Sequence, residues 1–255
     1  MNLTVLGSGT SVPHPRRSSS AYWLKTAGGC VLLDCSASAI HRMAEENLDW
    51  AGLDAIWISH FHLDHCGGLP AYLFGIKHAA ETQARTKPLR IFGGPGLAEL
   101  VRRFDAAGDY RLLSQRFAIE IVEVTALEPF EILPGVEAAA MKTPHTDSSH
   151  AIHIRDGEAT MVYTADTGFD PSITGFAGGV GLYITECSFV RNKPVELHLE
   201  LSEAMHLIRK ARPQRAMLTH FYPEWDSSDF QDEVARFDPP CEVIEAIDGL
   251  RLDIS

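Results

Sequence analysis

The stretch Ala55-Ile56-Trp57-Ile58-Ser59-His60-Phe61-His62-Leu63-Asp64-His65-Cys66-Gly67-Gly68 decides how the rest of the chain is read. A short apolar run of strand length ends at Ser59, and directly after it come four metal-binding side chains in the pattern H-x-H-x-D-H. In extended backbone, residues i and i+2 share a face, so His60 and His62 present their imidazoles to one cation while Phe61 turns toward the core. A turn into the helical stretch around Pro70 to His78 swings Asp64 and His65 toward a second position, and Gly67 and Gly68 permit close approach of backbone there. Imidazole with carboxylate suits zinc or a similar divalent first-row metal. By chance the pattern has odds on the order of one in several hundred in a chain of this length, so a metal site is expected.

Outward from this segment, short apolar runs recur at Leu3–Leu6, Cys30–Leu33, Leu89–Phe92, Ile119–Val124, Val136–Met141, Ala151–Ile154, Thr160–Thr164, Leu182–Thr185, Ala216–Leu218 and Val243–Ala246. Their lengths predict strands. Helical stripes fall on Ile40, Met43 and Ala44; on Leu97, Leu100, Val101 and Phe104; on Ala204, Leu207, Ile208 and Ala211; and on Phe230, Val234 and Phe237. Pro95 and Gly96 open the second of these and Gly108 closes it, while Ser202 is expected to cap the third and Pro213 to stop it. The order is mostly strands first, with helices between later strands and no βαβ repeat. That predicts an α+β protein of packed sheets with helices outside, one domain over residues 1–255 without a linker.

Composition narrows the partners. The 255 residues are 45% hydrophobic and 22% charged, which is ordinary for a globular protein. No run approaches the length of a membrane span, and the start, MNLTVLGSGT, lacks a basic and apolar leader, so a cytoplasmic location and no membrane partner are expected. A net charge of −12 with only short basic clusters (Arg16 and Arg17; Arg102 and Arg103) disfavours long nucleic acids, whose affinity rests on neutralised phosphates. The five cysteines are scattered without a CxxC, which argues against a disulfide framework or a cysteine zinc site. Cys35, Cys66 and Cys187 flank motif residues, but none sits in a Cys/His triad pattern, and they are expected to be buried apolar side chains. Gly7-Ser8-Gly9 lacks the third glycine of a dinucleotide loop.

Later segments carry further ligand types at strand ends: His145 in Thr-Pro-His-Thr-Asp, Asp166 in Tyr-Thr-Ala-Asp-Thr-Gly and His220 in Met-Leu-Thr-His-Phe. With the glycine turn Gly7–Thr10, Asp34 after an early strand and the H-x-H-x-D-H segment, the chain resembles the metallo-β-lactamase superfamily over nearly its whole length. The closer likeness is to the ribonuclease Z and phosphodiesterase branch. It rests on Gly7-Ser8-Gly9-Thr10-Ser11-Val12-Pro13 with Arg17–Ser20, on Glu186 in Thr-Glu-Cys-Ser-Phe, and on His198 before the helix at Ser202.

That resemblance implies a four-layer αββα sandwich and two divalent metal ions, zinc foremost with manganese or iron as alternatives. His60, His62 and His145 would hold one ion, Asp64, His65 and His220 the other, and Asp166 would bridge. His150 is the fallback for His145, while His153 lies in an alternating strand and is expected to pack. Asp34 is expected to anchor metal histidines through hydrogen bonds. His198 would act as a proton donor oriented by Glu186; the plain alternatives are a solvent-exposed loop histidine and a strand-end surface charge. Arg17 and Ser18–Ser20 are placed at the mouth. The branch also implies a homodimer as one assembly open to the chain.

Two such cations lower the pKa of a water and offset charge on phosphoryl oxygens, which predicts a hydrolase acting on a small phosphodiester, with cyclic nucleotides and cyclic sugar phosphates among the candidates. Asp64 and His198 would handle its protons. An ester, lactone or thioester hydrolase on the same site is the enzymatic alternative, and a noncatalytic binding protein is the alternative of another class.

Overall fold

The computed structural model describes residues 1–255. In chain order the strands are β1 (Asn2–Gly7), β2 (Ala21–Thr26), β3 (Gly29–Leu33), β4 (Ala55–Ile58), β5 (Leu89–Gly93), β6 (Ile119–Glu123), β7 (Phe130–Leu133), β8 (Val136–Lys142), β9 (His150–Asp156), β10 (Ala159–Tyr163), β11 (Leu182–Glu186), β12 (Arg215–Thr219), β13 (Glu242–Glu245) and β14 (Arg251–Asp253). The helices are α1 (Ala39–Glu45), α2 (Leu63–Cys66), α3 (Leu69–His78), α4 (Leu97–Ala106), α5 (Ile173–Phe176), α6 (Leu201–Ala211) and α7 (Phe230–Ala235).

The strands form two seven-stranded sheets, in the orders β14-β1-β2-β3-β4-β5-β6 and β13-β12-β11-β10-β9-β8-β7. Each is antiparallel along one half and parallel along the other, with β3 to β6 parallel in the first and β10 to β13 parallel in the second.

Strand alternation explains the stacking. Val31 and Leu33, Ala55 and Trp57, and Tyr22 and Leu24 enter the core shared with Ile152, Ile154 and Tyr183 of the second sheet. Their neighbours Leu32, Ile56, Ile58, Ala21 and Trp23 point the other way, into a second core with Met43 of α1, Leu73 and Ile76 of α3, and Leu97 and Val101 of α4. On the far side, Ala204, Leu207 and Ile208 of α6 and Val234 of α7 join the first core. The layers are therefore helix, sheet, sheet, helix, the α+β sandwich of metallo-β-lactamase type.

Three strands carry no clear signal in the sequence. β2, Ala-Tyr-Trp-Leu-Lys-Thr, has its aromatic and aliphatic residues on both faces because it lies inside a sheet covered on both sides. β7 and β14 are edge strands of four and three residues. Helices also enter earlier than the strands-first order suggested, with α1 to α4 all preceding β6. Ser202 does not cap α6. The helix begins at Leu201, and the cap is Glu200, whose side chain and that of Glu203 form a reciprocal capping box.

Candidate metal centre

Seven ligand-type side chains converge where strand ends of the two sheets meet. His60 and His62 follow β4, Asp64 and His65 lie on α2, His145 follows β8, Asp166 follows β10 and His220 follows β12. Sharp reversals make this convergence: Asp34, Ala165 and His220, each just past a strand, have left-handed φ values of +59°, +52° and +59°. Such conformations are costly outside glycine, and they gather where function demands them. Gly68 carries the close approach expected of it, since a Cβ there would lie 2.1 Å from the Ser36 carbonyl oxygen.

The seven residues sort into two sets. His60 Nε2 and His145 Nε2 each lie 3.1 Å from His62 Nδ1 and 3.8 and 3.6 Å from Asp166 Oδ2. The other Asp166 oxygen, Oδ1, lies 3.2 Å from His65 Nε2 and 3.3 Å from His220 Nε2. Asp64 Oδ2 completes that set, 3.8 and 3.6 Å from the same two nitrogens. Each oxygen of Asp166 thus faces a different set. His60, His65, Asp166 and His220 are buried while His62 is exposed, so the centre opens toward solvent on the His62 side.

His65 Nε2, His220 Nε2 and Asp166 Oδ1 are buried without any hydrogen-bond partner. An unsatisfied buried polar atom costs about 1–3 kcal/mol, and three converging on one spot are accounted for by a cation. Electrostatics agree. Burial and the surrounding rings of His65, His145 and His62 outweigh Asp166 and push His60 down to about 2, leaving a neutral nitrogen donor. Burial opposes ionisation of Asp166, yet His220, His65 and His60 hold it well below the usual carboxylate range. His65 goes the other way: burial is overcome by Asp166 and Asp34, which raise it well above its ordinary value. Asp166 and Asp34 favour positive charge at their end of the pocket, and the nitrogen and oxygen donors suit a divalent first-row cation. The pocket binds divalent metal.

Two carboxylates brace the centre from behind. Asp34 accepts Ser59 N–H at 2.8 Å on Oδ1, and Oδ2 accepts the Ser59 hydroxyl at 2.9 Å, His65 Nδ1–H at 2.7 Å and the Tyr163 hydroxyl at 2.8 Å. Glu186, only 1% exposed, accepts Thr167 N–H and His198 Nδ1–H on Oε1, and the Ser188 hydroxyl and Leu199 N–H on Oε2. It is no surface charge, and His198, 9% exposed, is no free loop histidine. The His198 ring stacks on His220 with centroids 5.4 Å apart. Burial works against its charged form, but the Glu186 hydrogen bond and charge, with Asp166, raise it to about 9.

Other expectations resolve by placement. His145 stands in the first set, with Nδ1–H donating to the Leu197 carbonyl at 2.8 Å. His150 lies outside both sets, its Nδ1–H held by the Ser148 carbonyl. His153 packs beside Phe176 from within β9. The Arg17 guanidinium pairs with Asp226 at 2.6 Å and lies over Phe221, and no hydrogen bond or ion pair joins it to a donor-set residue. Cys35, Cys66 and Cys187 are fully buried, and burial pushes the Cys66 thiol up to about 12. Ser59, Ser188 and Tyr163 were not singled out in the sequence. The serines sit beside or near motif residues, but Tyr163 is 129 positions from the carboxylate it meets and left no local trace.

Residues 1–240 match the family described as Anti-Pycsar protein Apyc1. The chain belongs to that family. Ribonuclease Z of Shouchella clausii is 26% identical over 300 aligned residues, covering 96% of this chain and 95% of the relative. Among solved structures, the metallo-β-lactamase fold protein YhfI from Bacillus subtilis superposes with a TM-score of 0.79 at 22% identity, over 99% of both chains. A diphosphatase from the PhnP family superposes with a TM-score of 0.72 at 20% identity, covering 100% of this chain and 98% of its own. Membership of the metallo-β-lactamase superfamily on the ribonuclease Z-like branch, expected from the motifs, holds. The protein is a metal-dependent hydrolase.

Proposed function

We propose that the protein is a two-metal phosphodiesterase acting on a small, in particular cyclic, phosphodiester. The observation that carries this reading is the division of Asp166 between two donor sets beside a histidine whose Nδ1 is already held by a buried glutamate. Two divalent cations, zinc foremost with manganese or iron as alternatives, supply when bound a water of lowered pKa and offset charge on phosphoryl oxygens. His60, His62 and His145 hold one cation, Asp64, His65 and His220 the other, and Asp166 is shared. Asp64 uses one oxygen toward His65 and His220 and keeps the second to accept a hydrogen bond from the attacking water. Glu186 fixes His198 through Nδ1–H, so the ring can pass the proton on Nε2 to the leaving alkoxide as the P–O bond breaks.

A small substrate is supported by what fills the interval from His145 to Asp166. It holds only the end of one loop and the β9–β10 hairpin, with its turn at Asp156–Ala159, and so carries no inserted segment that could hold a long substrate. The match to ribonuclease Z spans 300 aligned positions against 255 residues here, so the relative carries segments this chain lacks. The net charge of −12 repels a polyanion.

Metal analysis followed by a substrate panel tests the proposal. Near two metal ions per chain are expected, with faster turnover of bis-p-nitrophenyl phosphate and a cyclic phosphodiester than of p-nitrophenyl esters and lactones. Ester or lactone turnover far above phosphodiester turnover would move the assignment to the other hydrolase class. Salt-sensitive cleavage of precursor transfer RNA with sub-micromolar KM would overturn the small-substrate reading.

A further inference from the structure

The two bracing carboxylates reach the centre by the same connection, made once in each sheet. Asp34 grips His65 directly and Glu186 grips His198 directly. Each also meets a serine: Ser59 Oγ lies 2.9 Å from Asp34 Oδ2, and Ser188 Oγ lies 2.7 Å from Glu186 Oε2. Each serine oxygen in turn lies against Nδ1 of another histidine, His60 at 3.1 Å and His220 at 3.0 Å. Ser188 Oγ is also 3.4 Å from His198 Nδ1, but that nitrogen is closer to Glu186, at 2.9 Å.

The order of protons along both connections is forced. A carboxylate oxygen only accepts, so each serine must direct its single O–H at the carboxylate. The serine then presents a lone pair to the imidazole, and the facing Nδ1 must carry a hydrogen. A neutral ring protonated on Nδ1 has its lone pair on Nε2. In both residues Nε2 is the atom near Asp166, 3.8 Å from Oδ2 for His60 and 3.3 Å from Oδ1 for His220.

We propose that Ser59 and Ser188 are positioning residues that fix the metal-binding tautomer of His60 and His220, one in each donor set. This inference rests on the two-cation reading above. The serines make each donor set answer to a carboxylate on its own side of the seam, and through Ser188 a single glutamate governs both His220 and His198. Outer partners of metal-bound imidazoles contribute roughly 10- to 100-fold in metal affinity.

The test compares Ser59→Ala, Ser188→Ala and the corresponding threonine variants with the wild type. Zinc affinity is measured by chelator competition and imidazole tautomers by ¹⁵N NMR. Ser59→Ala is expected to weaken the zinc bound by the His60 set about 10- to 100-fold, and Ser188→Ala the zinc bound by the His220 set by a similar factor. Each should lose the slowly exchanging Nδ1–H signal of its own histidine, and threonine should restore it. Wild-type zinc affinity with unchanged tautomers in both alanine variants would overturn the inference. The wild-type spectrum decides even if the variants fail to fold, because His60 or His220 protonated on Nε2 is incompatible with it. A wild-type chain that binds no zinc would sink the two-cation reading, and the same spectrum would still judge the serines.

Discussion

His198, like His65, has Nδ1 tied to a carboxylate, but it stands outside the two donor sets gathered around Asp166 Oδ1 and Oδ2. Removing it should leave the donor sets intact while taking away a proton. His198→Ala is expected to lower kcat on a phosphodiester with an alkoxide leaving group by about 10² to 10⁴, the range for a lost general acid, at unchanged metal content. With a p-nitrophenolate leaving group the loss should be much smaller, since that anion departs without protonation. Steady-state kinetics on both substrates check this, and equal losses would reassign the ring to substrate binding. The cysteines give a simpler expectation. Cys35, Cys66 and Cys187 are fully buried, whereas Cys30 and Cys241 are half-buried. A thiol reagent should therefore titrate at most these two in the folded protein, without loss of activity, and all five after denaturation. Inactivation accompanying a third modified thiol would restore the nucleophile role rejected for these residues.

Two glycines of the segment after the metal motif should respond oppositely to the same substitution. Gly68 leads into α3 with the Ser36 carbonyl 2.1 Å from where a Cβ would stand, so Gly68→Ala forces backbone apart beside α2 and should cost about 1–3 kcal/mol. Gly75, inside α3, would meet nothing within 4 Å, and Gly75→Ala should stabilise the protein by about 0.5–1 kcal/mol through helix propensity. Urea unfolding of both variants reads the two signs. The contrast also shows what could be read from residues alone. β4 and the motif after it are legible because their signal is local: an apolar run, then alternation, then a turn. The strand pattern gives packed sheets with helices outside for the same reason, while the four-layer order follows from the family resemblance. β14 is not legible, since its three residues become a strand only by pairing Leu252 with Leu3. The start of α6 was misplaced because serine is the commoner cap, while the reciprocal bonds of Glu200 and Glu203 appear only once the helix is formed. Asp34 holds a histidine of the centre as its position after an early strand led us to expect, but the Tyr163 hydroxyl bonded to it is not legible, because Tyr163 comes from the opposite sheet.

Considered as one body, the protein is two sheets joined at a cation-binding seam. His60, His62, Asp64 and His65 come from the side of the first sheet, and His145, Asp166 and His220 from the second. Bound metal therefore adds a link between halves otherwise joined by apolar contact and by hydrogen bonds such as Tyr163 to Asp34. At free zinc 100 times its dissociation constant, one occupied site should add about 2.7 kcal/mol to stability. Thermal unfolding with and without chelator should show that difference, and an unchanged midpoint would mean the ions hold nothing together. The same division sets an order in time. During synthesis, at about 5–20 residues per second, His60 to His65 leave the ribosome several seconds to tens of seconds ahead of Asp166 and His220. β1 waits longer still for the strand that covers its edge, because Leu3 and Leu252 are separated by nearly the whole sequence. A growing chain thus displays an unfinished cluster of imidazoles beside an open sheet edge. Newly made copies, more than finished ones, are the form that a scavenging metal or a neighbouring strand would capture.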